Sequence, residues 1–159
     1  MNVNLWGPEM WKSLHTIASG LPQGDLSPPQ QRSTYELFRS LRDLLPCKRC
    51  RDSYAVFFEL VPLKMFLRDG GGVVYWLYLI HTLVNAKLGV SCNPSLLEVI
   101  KKYEARRVDR LSEDEMQRFC NVIELKYRTK GDYVVSRVIR LCESVNWDCS
   151  LILESLLLP

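Results

Sequence analysis

Strand-like alternation is scarce in this 159-residue chain. Tyr133-Val134-Val135 is the best run of it, too little for a sheet. No apolar stretch approaches the roughly 18 residues needed to cross a bilayer, and the closing Leu151 to Leu158 segment is far too short. Residues 1–11 contain no basic stretch leading into an apolar one, so no secretory leader is expected. Basic and acidic residues nearly balance, 21 against 18, and the basic ones form no run. That argues against a nucleic-acid partner. Only two histidines are present, and Cys47–Cys50 is the only C-x-x-C. A structural zinc site needs a second ligand pair, so no metal is expected. Gly70-Gly71-Gly72 lacks the spacing of a dinucleotide fingerprint and follows no strand, so any nucleotide would have to be held by helices. Internal repeats and low-complexity segments are absent.

What is present is helical patterning, with 47% hydrophobic residues and enough length for one substantial core. Gly7-Pro8 opens a first helix that Gly20 and Pro22 close. Ser27-Pro28-Pro29-Gln30 has the form of a capping box before Tyr35, Phe38, Leu41 and Leu45 at helical spacing, and Pro46 ends that run. A third helix starts at or near Cys47 and stops before Pro62. Gly70-Gly71-Gly72 is expected to be a flexible joint. The longest apolar-periodic segment, Val73 to Leu88, follows and ends at Gly89. Asn93-Pro94 starts a shorter helix through Tyr103, and a Ser112/Glu115 capping box begins another reaching about Tyr127. Lys130-Gly131-Asp132 is expected to turn the chain into a last helix, Tyr133 to Ser144. The class is all-α.

Cys47 and Cys50 carry the chemistry. At a helix start the macrodipole and the nearby Lys48, Arg49 and Arg51 favour thiolate over thiol, so the pair is built to react. Half of a zinc site is the bland alternative, and without further ligands redox chemistry is the better reading. The six cysteines also fit an intracellular protein with reactive thiols, because structural disulfides are rare in the cytosol. A thiol pair that turns over without a separate oxidant needs an electron-accepting cofactor. Trp11 and His15, and likewise His81 and Asn85, are four residues apart and share a helix face. An aromatic ring with an imidazole can stack on a flat ring, and imidazole with carboxamide can bind phosphate or ribose. Equally, Trp11 and His15 could be core residues, with His81 bonding a buried carbonyl. Both pairs together, alongside the C-x-x-C and Lys87, tilt the reading toward a cofactor pocket.

Trp6-Gly7-Pro8 with Trp11, Leu14 and His15, then Pro46, Cys47 and Cys50, then His81, Val84, Asn85, Lys87, Leu88 and Gly89, resemble the Erv/ALR sulfhydryl oxidases. The opening Trp-Gly-Pro and the short length look most like members encoded by large cytoplasmic DNA viruses. The resemblance runs from about Trp6 to Tyr103. It implies a four-helix bundle with a short fifth helix, an FAD-binding oxidase domain over residues 1–107 and a helical C-terminal extension over 108–159 packed on it. By the same resemblance Gly7, Trp11, His15, His81, Asn85, Lys87, Leu88 and Tyr103 would contact non-covalent FAD. Cys47 would face substrate and Cys50 the flavin, with electrons passing from protein dithiols, or from a relay thiol protein, through the pair and FAD to dioxygen, giving hydrogen peroxide. The family's tail cysteines make Cys142 and Cys149 a candidate shuttle pair, although burial as small apolar side chains is as good an account of Cys142. A homodimer is implied, as is a cytoplasmic setting at virus assembly sites or in the virion. One departure stands out. Family members often staple the fifth helix with C-x16-C, whereas Cys92 has Asp109 at that distance. The competing readings are a flavin-free thioredoxin-like oxidoreductase, which needs a strand before the C-x-x-C, and a non-enzymatic zinc-binding helical adaptor.

Overall fold

Side-chain caps set where the helices begin. In the computed structural model, which describes residues 1–90, 93–145 and 150, the helices are α1 (Val3–Ser19), α2 (Pro28–Leu44), α3 (Lys48–Leu60), α4 (Gly70–Lys87), α5 (Leu96–Glu104) and α6 (Glu113–Val145). A single 3-10 turn, Leu63–Met65, separates α3 from α4. Ser27 and Gln30 form the expected capping box on α2, and Ser112 and Glu115 form the one on α6. Two starts differ from expectation. Asn2 caps α1 five residues ahead of Gly7, so Pro8 lies inside the helix. Ser95, in its own box with Glu98, starts α5 just after Asn93-Pro94.

The architecture is all-α, and the described residues contain no strand, only an isolated bridge between Asp25 and Asp69. α4 is the central helix. Val73, Val74, Trp76, Leu77, Ile80 and Leu83 bury it on every side, and α1, α3, α5 and α6 pack around it. A helix apolar all round has to be enclosed in this way. Trp76 fixes its rotation. Its ring meets Phe38 edge-on at 4.9 Å, and its Nε1 donates to Val61 O at 2.7 Å. Tyr54 on α3 donates to Phe38 O of α2 at 2.8 Å, tying those two helices together.

Gly70-Gly71-Gly72 is no flexible joint. The three glycines are the first turn of α4 and are fully buried there. A Cβ on Gly72 would sit 2.1 Å from Phe66 O and 2.5 Å from the Tyr127 hydroxyl, and one on Gly70 would sit 2.4 Å from Pro22 O. These glycines are demanded by close approach, not by bending. Asp69 caps the turn, accepting from Gly72 N–H at 2.7 Å. Its other oxygen accepts from the Tyr127 hydroxyl at 2.8 Å and from Lys126. Burial alone would push this carboxyl up, but the combined donors hold it below its ordinary value.

The expected turn at Lys130-Gly131-Asp132 does not form either. α6 runs unbroken through Gly131, where a Cβ would lie 2.8 Å from the Tyr75 hydroxyl. Here too a glycine read as a breaker makes room for an aromatic ring. The Tyr133-Val134-Val135 run accordingly lies within α6, with Val134 and Val138 in the core. α6 packs on α4 and α5, and Lys130 donates to Met65 O. Beyond α5, Arg107 donates to Ser19 O at the end of α1 at 3.0 Å and lies 3.8 Å from Asp109. Cys92 lies outside the described residues.

Gly72→Ala is expected to cost at least about 3 kcal/mol, because the clashing atoms are backbone and a packed ring. Gly24→Ala, where nothing lies within 4 Å, should stay within about 0.5 kcal/mol. Thermal unfolding followed by circular dichroism measures both, and equal stability of the two variants would contradict the close approach.

Candidate active site

Pro46 forces the end of α2, and its predecessor Leu45 takes an extended conformation. The chain then re-enters a helix with Cys47 as its N-cap. The Cys47 sulfur accepts the Cys50 N–H at 3.3 Å, in the place a serine hydroxyl would usually take. Arg51 braces the turn by donating to Leu45 O at 2.6 Å, and Lys48 pairs with Asp52 at 2.8 Å. The two thiols do not share the same fate. Cys47 is held below its ordinary value, chiefly by the Cys50 thiol donating to it and then by backbone N–H groups, with Lys87 adding positive charge. Cys50 is pushed up to about 11, first by burial and then by the neighbouring Cys47 sulfur. The expectation that both would favour thiolate is therefore corrected. In the reduced pair Cys47 is the readier of the two to ionise and Cys50 the more firmly protonated.

α4 links this dithiol to an aromatic cluster. The Trp11 and His81 rings stack at 3.9 Å with 7° between their planes. His15 Nε2 and His81 Nδ1 lie 3.1 Å apart, and the His15 ring stacks on Tyr103 at 4.9 Å. α1, α4 and α5 each contribute a member, and His15 is almost wholly buried. His81 therefore bonds an imidazole, not a buried carbonyl. Burial first, then mutual repulsion and Lys102, lower His15 to about 3; burial and Lys102 lower His81 to about 4. Both rings are neutral at pH 7, and one ring must donate where the other accepts.

The remaining expected residues are spread around these two groups. Asn85 donates to Asn93 at 2.7 Å, facing the link between α4 and α5. Lys87 is exposed at the end of α4 and reaches Ser53 Oγ on α3, three residues past Cys50. Gly7 is half-buried, and a Cβ placed there would meet only the Val3 side chain, at 3.6 Å, so the protein leaves room on that face. Leu88 is 66% exposed. Cys142 is buried on α6 and disulfide-bonded, while Cys149 lies outside the described residues. Sequence reasoning named neither Trp6 nor Ser53 as a site residue. Trp6 Nε1 is buried with no hydrogen-bond partner, and the Trp6-Gly7-Pro8 motif was the signal for it. Nothing in the sequence marked Ser53. Stacking rings, neutral imidazoles, an orphan indole N–H and a cation beside a dithiol together suit a flat heteroaromatic group with polar and anionic parts.

Two measurements probe this geometry. The folded protein binds fewer protons at His15 and His81 than the unfolded chain, so stability is present above about pH 6.5 and is lost as pH falls toward 4. The melting temperature should fall over that window, and the slope should flatten in His15→Gln, which cannot charge. In the reduced protein, Cys47 should alkylate faster than Cys50 at neutral pH, and Cys50→Ala, which removes the donor, should raise the pH at which Cys47 reacts. Mass spectrometry of iodoacetamide adducts reads both, and faster labelling of Cys50 would reverse the assignment.

Comparison with known proteins identifies the family. The family model of the Erv1/Alr family matches residues 8–106. A probable FAD-linked sulfhydryl oxidase of Acanthamoeba polyphaga mimivirus is 32% identical over 105 residues, which is 64% of this chain and 73% of that protein. An FAD-linked sulfhydryl oxidase of Oryza sativa subsp. japonica is 31% identical over 83 residues, 52% of this chain and 41% of its own length. The family match takes in the dithiol, every member of the aromatic cluster and Lys87, and it stops short of α6. With most of its length so matched, and those residues gathered on α1, α3, α4 and α5, the chain belongs to the Erv1/Alr family.

Proposed function

We propose that this chain is an FAD-linked sulfhydryl oxidase that forms disulfide bonds in protein substrates. The observation that carries the reading is the position of one helix, α4, whose last two turns hold His81 in the aromatic stack and Lys87 beside the cysteines. Those residues are about 9 Å apart along the helix axis, so that one extended cofactor could touch both. Trp11, His15, His81 and Tyr103 would hold the flat rings, with Asn85, Lys87, Gly7 and Leu88 along the remainder. Bound FAD would supply a two-electron acceptor that dioxygen can reoxidise, releasing hydrogen peroxide.

Cys47, the more exposed and more acidic thiol, would meet the substrate, and Cys50, the more buried one, would face the cofactor. A substrate thiolate attacks Cys47 of the oxidised pair, forming an intermolecular S–S bond and releasing Cys50. The substrate's second thiolate attacks the same bond, leaves as a disulfide and returns the pair as a dithiol. Residues 1–107 would form the oxidase domain, with 108–159 an extension whose α6 packs on α4 and α5. A second copy would pair through α1, whose Val3, Leu5 and Ile17 are exposed.

An absorbance spectrum of purified protein tests the cofactor, and peroxide release on adding dithiothreitol tests the activity. The protein should purify yellow. Cys50→Ser should keep the colour and lose at least about 100-fold in turnover, the order expected when a reacting group is removed. A colourless protein, or undiminished turnover in Cys50→Ser, would sink the reading.

A further inference from the structure

Around the substrate-facing sulfur the charge is one-sided. Lys48, Arg49 and Arg51 follow Cys47 on the first turn of α3, and Lys87 from α4 is close enough to lower Cys47, Cys50 and Asp52 alike. Two carboxylates answer these four cations. Asp52 is paired with Lys48, and Asp43 lies one turn before Cys47. Arg51 is turned back onto Leu45 O, and Lys87 is engaged by Ser53. Arg49 is exposed and makes no ion pair among the described residues. The surplus is not spread over the molecule, whose net charge is only +3. An exposed apolar side chain precedes it, Leu44 at 71% just before the turn.

We propose that this collar selects its partner. The dithiol segment that docks at Cys47 carries carboxylates beside its cysteines and an apolar residue to lie against Leu44. The inference rests on the oxidase reading above and adds the substrate class to it. Its physical basis is that the approaching nucleophile is a thiolate. A collar of cations draws in an anion and any carboxylates next to it, and would repel a segment bearing lysines. Such steering acts mainly on encounter and weakens as salt screens it over the Debye length. The bond changes are those already given: two thiols of the segment are oxidised to a disulfide, the Cys47–Cys50 disulfide is reduced to a dithiol, and the two thiol protons end on that pair with no net release.

The test uses the flavin-loaded full chain and three substrates: dithiothreitol, a synthetic Cys-Gly-Ser-Cys peptide flanked by aspartates, and the same peptide flanked by lysines. At low salt, kcat/KM should be about tenfold higher for the aspartate peptide than for the lysine peptide, within the range of electrostatic steering. The two should converge as sodium chloride is added. Arg49→Glu should shrink or invert the aspartate-to-lysine ratio of kcat/KM, a comparison made within one variant that a common change in Cys47 reactivity does not move. Equal rates on the two peptides with normal dithiothreitol turnover would overturn the inference and leave the oxidase reading standing. No turnover of any dithiol by the yellow protein would overturn both.

Discussion

One buried carboxylate holds the scaffold together. Asp69 caps the first turn of the central helix with one oxygen and binds the α6 phenol and ammonium with the other. Its backbone lies opposite Asp25, while the next residue in the loop, Leu26, donates to Arg68 O at 2.8 Å. Three parts of the chain that are far apart in sequence therefore meet at a single residue, two through its side chain and one along its backbone. A capped helix start, unlike a frayed one, fixes both the rotation and the height of every residue that follows. The positions of His81 and Lys87 are inherited from that cap.

At the far end of α4, electrostatics divides the work between two chemically identical side chains. Cys47 differs from Cys50 only by three positions along a helix, but one is a cap in contact with water and the other faces inward. Position alone makes one thiol acidic and the other reluctant to ionise. The aromatic cluster shows the same economy. Two imidazoles, both neutral at pH 7, satisfy one another through one hydrogen bond and leave a stacked face for a ring.

Much of this was legible in the chain. Ser27, Ser112 and the spacing of Tyr35, Phe38 and Leu41 announced their helices because caps and periodicity are local signals. Cys47 at a helix start and the Trp11/His15 spacing were readable for the same reason. What was misread is instructive. Gly70, Gly71, Gly72 and Gly131 carry no local mark that separates a glycine needed for bending from one needed for close approach, because the crowding atoms come from Pro22, Phe66, Tyr127 and Tyr75. The His15–His81 contact and the Lys87–Ser53 contact join different helices, so no window along the sequence could contain them. The opposite behaviour of the two thiols was equally hidden, since burial of Cys50 is a property of the assembled bundle.

The spacing of His81 and Lys87 along an unbroken helix has an evolutionary consequence. Inserting or deleting a single residue between them would rotate one about 100° relative to the other and break their common purpose. This stretch can change in composition far more readily than in length. Across descendants of this gene, gaps should collect in the linkers before α2 and after α5, while the interval between those two side chains stays at a constant count.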